Sequence, residues 1–391
     1  MKLILILFPI FFILSSCWTS LPFSSRVNAV DPSTLSIKLP NLSTEPLLAA
    51  DAMNKNYFQS AYSDLTSTQL DSKWKSANKD PMSLIRSYVN IWYDEAGQVS
   101  NWGPIGPCFG DPHIENFGFL WFDDEAWRYT YNDLDDVGAC PVIFDAVRFF
   151  TTLKLFVNDV DAEKRILTTY IDTLNGKAFS ELPSSNLTPD FNKVSDKQIK
   201  QNTADGRLVL EKDGQLLTSL EQEEVFAALK QVLRTPDELS FIDIYRFDHT
   251  AGGSAGLDRY KVLAKDPAGD LLVLELKELG KPAAERGPWS TTSMLNRQQF
   301  MEKLWGANKP MYLRFPIIGN KPFLLRSTIK KSVDFSKLSD SEKIGLLSEE
   351  AYIMAKLHKQ TLVGTAELAD WLLLQSKFMA DRYTTALENL N

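Results

Sequence analysis

The chain has 391 residues, of which 44% are apolar, 24% charged and 11% aromatic, a composition typical of a globular protein with enough material for two lobes. Its 50 acidic side chains outnumber the 42 basic ones and give a formal charge of -8, and the sequence has no basic run suited to tracking phosphates. These values exclude a disordered chain and a protein with a general attraction for nucleic acid.

The N-terminus has the pattern of a bacterial secretory signal. A lysine at position 2 precedes an apolar run at 3–14, which is too short to span a bilayer, and Leu14-Ser15-Ser16-Cys17 follows at once. This sequence resembles a lipoprotein signal, in which cleavage leaves Cys17 to carry the lipid. It predicts a signal peptide at 1–17 and a membrane-anchored lipoprotein of the cell envelope, on the periplasmic or cell-surface side. The alternatives are an uncleaved signal-anchor and cleavage after Ala29.

Residues 18–50 are rich in Ser, Pro, Thr and Asn without a period, which predicts a flexible tether between the anchor and a folded body. Folded structure is expected from about residue 51. The first predicted helix covers 82–93, where aromatic and apolar residues recur at helical spacing. Its Arg86 could face a functional site or solvent.

The cysteines and histidines limit the metal and redox chemistry that the mature chain can support. Cys108 and Cys140 bracket a pair of acidic motifs, and export would let them form a disulfide, although two buried thiols fit the sequence equally well. The three histidines, His113, His249 and His358, are too few for a histidine-rich zinc site.

The segment 110–116, Gly-Asp-Pro-His-Ile-Glu-Asn, places Asp111 and Asn116 at the D-x-x-x-x-N spacing of the kinase catalytic loop. Asp111 could orient or deprotonate an acceptor hydroxyl, and the Asn116 carbonyl oxygen suits a hard cation such as Mg²⁺. With its glycine and with His113, a second candidate catalytic residue, the segment resembles the aminoglycoside-phosphotransferase version of this loop. The alternative is an Asx-type turn with capping side chains.

Two strands and a turn, predicted at 117–131, lead to a second motif at 132–136, Asn-Asp-Leu-Asp-Asp. Three carboxylates in four positions are costly unless water, a cation or hydrogen-bond donors neutralise them. Asp133 is the first choice for a metal ligand and Asp135 the second, whereas Asp136 is expected to bond backbone or solvent. A solvated acidic loop is the alternative.

Helices are predicted at 144–157 and 162–174, and a polar, irregular stretch follows at 181–206. Asp145 and Arg148 share one face of the first helix at i, i+3 spacing. They could brace the acidic loop, and an exposed helical pair is the alternative.

The second half of the chain has a strand-rich order of elements. Strands are predicted at 241–249, 257–264, 271–277, 311–317 and 322–328, a glycine loop at 251–256, a helix at 292–305 and two final helices at about 341–360 and 365–388. Lys277 ends a strand whose alternation resembles the V-A-I-K strand of kinases, which carries a phosphate-pairing lysine. Glu302, on the helix that follows, is the candidate partner of this lysine.

The glycine loop has the composition of a phosphate-binding segment, because glycine lets backbone N–H groups approach phosphate oxygens closely. Its candidate phosphate-binding residues are Gly252, Gly253, Ser254 and Gly256.

Taken together, the segments 110–118, 132–136, 252–256 and 274–278 resemble a bacterial family called domain of unknown function 2252, over roughly residues 80 to 360. The resemblance implies a kinase-like fold. Because the catalytic-loop motifs here precede the glycine loop and the lysine, the motif order implies a circular permutation.

The fold class expected from these observations is therefore α+β, as a two-lobed, protein-kinase-like fold in permuted order. A helical lobe with both acidic motifs is assigned to 51–235, a small β lobe to 236–330, and helices that complete the large lobe to 331–391.

Three functions remain open at this stage. The first is phosphoryl transfer from ATP or another phosphate donor, with Mg²⁺ or Mn²⁺, to a hydroxyl on an unknown small molecule or protein. The second is a non-catalytic, pseudokinase-like binding or scaffold protein. The third is a metal-dependent phosphoesterase, because Asp111-Pro112-His113 has the D-x-H form of one metallophosphatase motif. Nucleic acid is not an expected partner.

Overall fold

The computed structural model describes residues 55–62, 65–98, 103–157, 159–180, 182–247, 257–289 and 295–390. The predicted signal peptide with Cys17, the predicted tether at 18–50, His249 and the glycine loop with Gly252, Gly253, Ser254 and Gly256 lie outside the described residues. The described part confirms the α+β class. None of its helices combines the length and the apolar character that crossing a membrane requires.

The helices contribute most of the larger of two hydrophobic cores in the described part. They are α1 (Lys55–Ala61), α2 (Ser67–Ala77), α3 (Pro81–Ser87), α4 (Val89–Ala96), α5 (Val142–Phe156), α6 (Val160–Leu174), α7 (Phe191–Asn202), α8 (Ser219–Gln231), α9 (Leu295–Trp305), α10 (Asp340–His358) and α11 (Ala366–Leu390). Helix α5 is buried from Val142 to Leu153 because α11 and α3 pack against it and the β1 region covers its start.

The strands pair antiparallel in every described ladder. They are β1 (Ile105–Cys108), β2 (Phe117–Trp121), β3 (Trp127–Tyr131), β4 (Gly138–Pro141), β5 (Thr203–Ala204), β6 (Arg207–Leu208), β7 (Gly214–Leu216), β8 (Ser240–Phe247), β9 (Arg259–Lys265), β10 (Leu271–Glu278), β11 (Ile317–Ile318), β12 (Lys321–Ser327) and β13 (Lys330–Lys331). Six of them form one sheet in the order β11-β12-β10-β9-β8-β7, and β13 joins the β2–β3 hairpin.

One face of the six-stranded sheet is apolar, and the opposite face carries its buried charged residues beside apolar ones such as Leu324. Along β10, Leu272, Leu274 and Leu276 belong to the smaller core, which α8 also lines, whereas Glu275 and Lys277 lie on the opposite face. This division follows from the two-residue period of a strand. The charged face of the sheet is the one that meets the acidic motifs.

Several predicted elements are confirmed within a few residues. Helices α5, α6, α10 and α11 lie where the apolar spacing placed them, and β8, β9, β10 and β12 correspond to four of the predicted strands. The two predicted hairpin turns are also present, with Gly269 at φ +91° and Gly319 at φ +59°, a region that glycine reaches without strain.

Other predictions are wrong, each for a local reason. The helix expected at 82–93 is broken at Tyr88 into α3 and α4. The stretch expected to be irregular at 181–206 contains α7, which begins after the capping side chain of Asp190. Its few apolar residues, such as Phe191 and Val194, are only partly buried against the smaller core, and its otherwise polar sequence hides the helix. The strand expected at 311–317 is reduced to β11, because Tyr312 adopts φ +61°, which interrupts an extended chain.

A disulfide bond joins Cys108 at the end of β1 to Cys140 in β4, with their Cα atoms 5.7 Å apart. The predicted proximity of the two cysteines is therefore confirmed. The 32 residues of sequence separation include both acidic motifs and the β2–β3 hairpin, so the bond closes the loop that carries the candidate site.

Candidate functional site

The β2–β3 hairpin brings the two acidic motifs side by side. Phe117 pairs with Tyr131, and beyond this pair the N–H of Asn132 donates to the carbonyl oxygen of Asn116 at 2.9 Å. Residues opposite each other in an antiparallel ladder lie about 5 Å apart. Asn116 therefore lies opposite Asn132, and Asn132 directly precedes Asp133 in the chain. This is the arrangement that the sequence predicts for two motifs at the ends of one hairpin.

The loop that carries Asp111 and Asn116 is held by its own backbone. The Asn116 side-chain amide donates to the carbonyl oxygen of Asp111 at 2.9 Å, which leaves the Asn116 side-chain oxygen as the end available to a ligand. Gly110 has φ +79°, and a Cβ atom there would lie 1.8 Å from the carbonyl oxygen of Asp136. The two acidic motifs are thus in direct backbone contact.

Arg148 holds the carboxylate of Asp111. Its Nε and Nη2 donate to Oδ1 of Asp111 at 2.9 and 2.6 Å, and Nη2 also donates to the carbonyl oxygen of Ile85 at 2.8 Å. The guanidinium is fully buried and Asp111 is 13% exposed. One oxygen of Asp111 is therefore engaged by the protein interior, and Oδ2 is the one that could meet an acceptor.

His113 is neutral at physiological pH. Burial lowers the pKa of His113 to about 4, because the interior disfavours the charged ring. Its Nδ1 accepts the N–H of Glu115 at 3.3 Å, and its Nε2 lies 3.6 Å from Oδ2 of Asp111. Because Nδ1 is used as an acceptor, Nε2 is the ring nitrogen that faces Asp111, and the catalytic role of His113 stays a prediction.

Asp145 fixes the backbone that leads into the Asp111 loop. Its carboxylate accepts the N–H groups of Phe109 and Gly110 at 2.7 and 3.0 Å and the hydroxyl of Tyr93 at 2.9 Å, and it contacts His358 Nε2 at 3.1 Å. Asp145 is fully buried, as is Arg148. The alternative of an exposed helical pair is therefore wrong, and both side chains brace the site.

Lys277 reaches the acidic loop from β10, although more than a hundred residues separate them in the chain. Its Nζ forms an ion pair with Oδ2 of Asp135 and lies 3.7 Å from Oδ1 of Asp133. Burial lowers the pKa of Lys277 to about 8, with Asp133 opposing the shift and Arg326 adding to it. The permuted motif order predicts that Lys277 faces Asp133 across one cleft, and the two side chains lie close together in the structure.

The carboxylates beside Lys277 retain unused oxygen atoms. Among the described residues, Oδ1 of Asp133 and Oδ1 of Asp135 are buried without a hydrogen-bond partner. Burial alone would raise the pKa of Asp133, but Lys277, Arg326 and neighbouring cations outweigh it and hold that pKa below its usual range. Asp133 is therefore ionised, and the two carboxylate oxygens and the Asn116 side-chain oxygen are ligands of the type that Mg²⁺ and Mn²⁺ prefer.

Asp136 has a different environment from Asp133. Its Oδ1 accepts the N–H of Ala283 at 3.0 Å, as expected of a residue that bonds backbone. Burial and the charge of Asp111 raise the pKa of Asp136 to about 7, although the backbone hydrogen bond opposes the shift. Asp136 therefore ties the acidic loop to the segment after β10.

The predicted role of Glu302 is wrong. Glu302 is exposed on α9 and accepts a hydrogen bond from Gln298 at 3.4 Å, the next turn of the same helix. The residue of this helix that reaches the site is Arg297, which donates to the carbonyl oxygens of Asp135 and Gly280, each at 2.7 Å. Arg86 on α3 is half exposed and pairs with Glu115 beside the Asp111 loop.

Sequence reasoning missed a charged network on the same sheet face as Lys277. Glu275 accepts from Arg259 on β9 at 2.8 Å and from Arg326 on β12 at 3.0 Å. Arg326 also donates to the carbonyl oxygen of Asn132 at 3.3 Å, and Lys330 lies close enough for the charge of Arg326 to lower its pKa to about 8. The sequence signal was Glu275 itself, a charge two residues before Lys277 on an otherwise apolar strand.

No family model, no curated protein and no solved structure matches this chain. The candidate site is therefore interpreted from its own geometry and from the motifs that the sequence carries.

Proposed function

We propose that this protein is a kinase-like phosphotransferase that moves a phosphoryl group from a phosphate donor to a hydroxyl-bearing acceptor, on a two-lobed, kinase-like fold in permuted order. The observation that carries the proposal is the convergence of Lys277 with Asp133 and Asp135, next to the Asp111–Asn116 loop. A buried lysine, ionised carboxylates with unused oxygens and a separate carboxylate for the acceptor are the parts that phosphoryl transfer requires.

Asp111 has the features of a residue that orients the acceptor. Arg148 donates two hydrogen bonds to its Oδ1, and its Oδ2 can still accept a hydrogen bond from a hydroxyl. Phosphoryl transfer has a loose transition state, so alignment of the acceptor contributes more than early removal of its proton. The proton passes to Asp111 as the new bond from oxygen to phosphorus forms.

Asp133, Asp135 and Asn116 are the residues that would hold a divalent cation, which when bound supplies charge neutralisation for the transferring group. Lys277 would hold phosphate oxygens beside it. Because Lys277 pairs with Asp135 in the structure, a phosphate group would compete with that carboxylate for the ammonium. Arg297 and Arg326 fix the backbone of the loop through the carbonyl oxygens of Asp135 and Asn132.

A thermal-shift titration of the intact chain in detergent micelles tests this proposal, with nucleotides and inorganic phosphate compounds in the presence and absence of Mg²⁺ or Mn²⁺. A ligand at 100 times its dissociation constant should stabilise the protein by about 2.7 kcal/mol. Asp133→Asn should remove the metal-dependent part of the shift, since an amide is a poorer ligand for a hard cation. Asp196→Asn, an exposed residue on α7, is the matched control.

Transfer is measured separately, as phosphate released when water replaces the unknown acceptor. Asp111→Asn should keep the ligand-induced shift and lower this rate by about 100-fold or more. Absence of any metal-dependent shift would contradict the proposal. A thermal shift without phosphate release by the parent chain would favour the second candidate, a binding protein without turnover. The observation that supports this candidate is the hydrogen bond from Arg148 to Asp111, which occupies one oxygen of the proposed catalytic carboxylate.

The phosphoesterase reading gains no support from the described residues. His113 uses Nδ1 to accept the Glu115 N–H, and both ring nitrogens of His358 are engaged, with Tyr170 at 2.7 Å and Asp145 at 3.1 Å. His358 therefore has no ring nitrogen left for a metal, and the Nε2 of His113, 3.6 Å from Oδ2 of Asp111, is the one ring nitrogen of these two histidines without a hydrogen bond.

A further inference from the structure

The β3 strand is the outer edge of its small sheet. In the order β13-β2-β3, no described strand pairs with the far side of β3. At one end of the β2–β3 hairpin the N–H of Asn132 donates to Asn116, and at the other end the N–H of Phe122 donates to Ala126. Every second residue of β3 between these two ends bonds across the hairpin. Tyr129 lies between two such positions and therefore turns its main-chain N–H and C=O away from β2.

The outward main-chain groups of Tyr129 are buried and, within the described part of the chain, unpaired. Tyr129 is 7% exposed, and no hydrogen bond joins its main-chain N–H or C=O to a residue outside the hairpin. Buried main-chain groups are almost always paired, because an unpaired one costs free energy comparable to a lost hydrogen bond. The edge of β3 therefore offers the donor and the acceptor that a further strand would use.

A cavity of about 610 Å³ lies against this edge. It is lined by four consecutive residues of β3, from Trp127 to Thr130. Neighbouring side chains of a strand project to opposite faces, so a cavity that touches four residues in a row lies beside the edge of the strand. Four residues of strand are about 13 Å long, and the volume is within the range of about 300 to 1,000 Å³ that ligand sites have. The cavity therefore has room for a short extended segment.

The other walls of the cavity belong to α10, to α9 and to the segment after α6. Tyr352, Ile353 and Lys356 line it from one face of α10, where residues three and four apart are neighbours. The Tyr352 ring stacks on Phe179 with their centroids 5.2 Å apart, and Trp305 of α9 also lines the cavity. A strand that binds to β3 would place alternate side chains against these rings, which is how such binding gains specificity.

The exposed charges of the cavity are positive. Of the described residues, four charged side chains line it, namely Arg128, Glu349, Lys303 and Lys356. Arg128 is paired with an aspartate of the hairpin turn, and both oxygens of Glu349 accept hydrogen bonds from Ser184. Lys303 donates to an amide oxygen and Lys356 lies over an aromatic ring, and neither has a carboxylate of the described chain at ion-pair distance. A negatively charged partner would complement these two lysines.

We infer that the edge of β3 binds an extended, acidic peptide segment of a partner protein as an added strand, with its main chain on Tyr129 and its carboxylates facing Lys303 and Lys356. The two lysines and the stacked rings alone would also suit a small aromatic anion. The main-chain donor and acceptor of Tyr129 favour a peptide, because a peptide residue carries the matching acceptor and donor at strand spacing. This inference goes beyond the proposed function and does not depend on it.

Fluorescence anisotropy with the intact chain in detergent micelles tests the inference, and protein-free micelles provide the blank. The probes are fluorescein-labelled pentapeptides that alternate Glu with Val, Thr or Tyr, and matched peptides with Lys in place of Glu. The Glu peptides should bind at least about tenfold more tightly than the Lys peptides, the effect of one charge-assisted contact. A third set of Glu peptides, N-methylated along the main chain, lacks the donors for a strand ladder and should not bind.

Reversal of one lysine charge tests the assigned cavity. Lys356→Glu should weaken binding of the Glu peptides at least about tenfold and strengthen binding of the Lys peptides, a gain that a misfolded variant would not show. Lys359→Glu is the matched control, because Lys359 is exposed at the end of α10 and does not line the cavity. It should leave both affinities unchanged.

A small aromatic anion, 2-naphthoate, tests the other occupant by isothermal titration calorimetry. Binding of 2-naphthoate that Lys356→Glu abolishes, while no peptide binds, would show that the cavity takes a small molecule and would overturn the inference. Equal affinities of the methylated and unmethylated peptides, or equal effects of the two glutamate variants, would also overturn it. So would the absence of binding by every Glu peptide at about 1 mM.

Discussion

At the scale of single residues, the candidate site depends on charges that the interior cannot solvate. Arg148 and Asp111 are the clearest case, because the guanidinium is fully buried and the carboxylate is 13% exposed. Removing one member of a buried ion pair costs more than the pair itself contributes, since the remaining charge has no counter-charge.

We expect Arg148→Met to lower the free energy of unfolding by about 3 to 5 kcal/mol, because it leaves Asp111 uncompensated. The double variant with Asp111→Asn should lose at least about 1 kcal/mol less than the sum of the single variants, as coupled neighbours do. Urea unfolding measures all three. Arg86→Met, which breaks a half-exposed ion pair, should cost less than about 1 kcal/mol and serves as the control. If the loss in the double variant equals the sum of the losses in the two single variants, Arg148 does not stabilise the protein through Asp111.

Glu350 on α10 should make stability depend on pH. Its side chain is fully buried, its Oε1 accepts the hydroxyl of Tyr129, and burial raises the pKa of Glu350 well above its usual range. The folded protein therefore keeps a proton that the unfolded chain releases above about pH 4.5. The contribution of Glu350 to the free energy of unfolding is therefore fully present at low pH. It declines as pH rises above about 4.5, by up to about 1.4 kcal/mol per pH unit, until the pH reaches the pKa of Glu350 in the folded protein.

Glu350→Gln should remove this contribution, because the amide is neutral at every pH. Urea unfolding at pH 5 and pH 8 should show a smaller difference in the variant than in the parent chain. Glu223→Gln, an exposed residue on α8, should leave the difference unchanged. Parallel pH dependence in the parent chain and in Glu350→Gln would show that Glu350 is ionised in the folded protein.

At the scale of elements, the site is made by contacts between segments that the sequence predicts separately. The β2–β3 hairpin aligns Asn116 with Asn132, and β10 carries Lys277 onto Asp135. The hairpin was predictable because two aromatic strands surround a polar turn. The motifs also predicted that Lys277 faces Asp133, but not its ion pair with Asp135, because that contact depends on packing between segments more than a hundred residues apart.

Gly110 tests the contact between the two acidic loops. Gly110→Ala should cost about 1 to 2 kcal/mol for the left-handed backbone alone, and more because the new Cβ would collide with the carbonyl oxygen of Asp136. Gly103 has the same φ of +79° with no atom within 4 Å of a built Cβ, so Gly103→Ala isolates the backbone cost. We expect Gly110→Ala to lose at least about 2 kcal/mol more than Gly103→Ala in urea unfolding. Equal losses would mean that the loops can separate freely.

At the scale of the whole molecule, the described residues form two hydrophobic cores, and the charged face of the six-stranded sheet lies on the side of the acidic loop. Leu324 of β12 belongs to the larger core, whereas its neighbours Phe323 and Leu325 belong to the smaller one. The sheet therefore contributes to both cores.

The sequence also predicts where the whole molecule resides. Cys17→Ser should release the protein from the membrane fraction or leave an unprocessed precursor, because the cysteine is both the cleavage signal and the lipid acceptor in the signal that it resembles. Membrane fractionation and intact mass are the measurements. Cys108→Ser, which removes a cysteine far from the signal, should keep the lipidated mass. Unchanged extraction and mass in Cys17→Ser would contradict the lipoprotein prediction.

The sequence by itself determined the features that depend on neighbours along the chain. Apolar spacing located α5, α6, α10 and α11, glycine located two hairpin turns, and the D-x-x-x-x-N spacing identified Asp111 and Asn116. These features follow from local periodicity and from backbone preference. The same reasoning overlooked α7, because its few apolar residues, including Phe191 and Val194, are separated by a mostly polar sequence and are only partly buried.

Only the tertiary structure decided which charges meet. It buried Asp145 and Arg148, directed Lys277 to Asp135 and not to Glu302, and assembled Arg259, Glu275 and Arg326 on one sheet face. The physical reason is that the energy of a charge depends on its burial and on its counter-charges, and both are set by elements remote in the chain. A sequence shows that a carboxylate or a guanidinium is present, and the fold decides whether it is solvated, paired or left to bind a ligand.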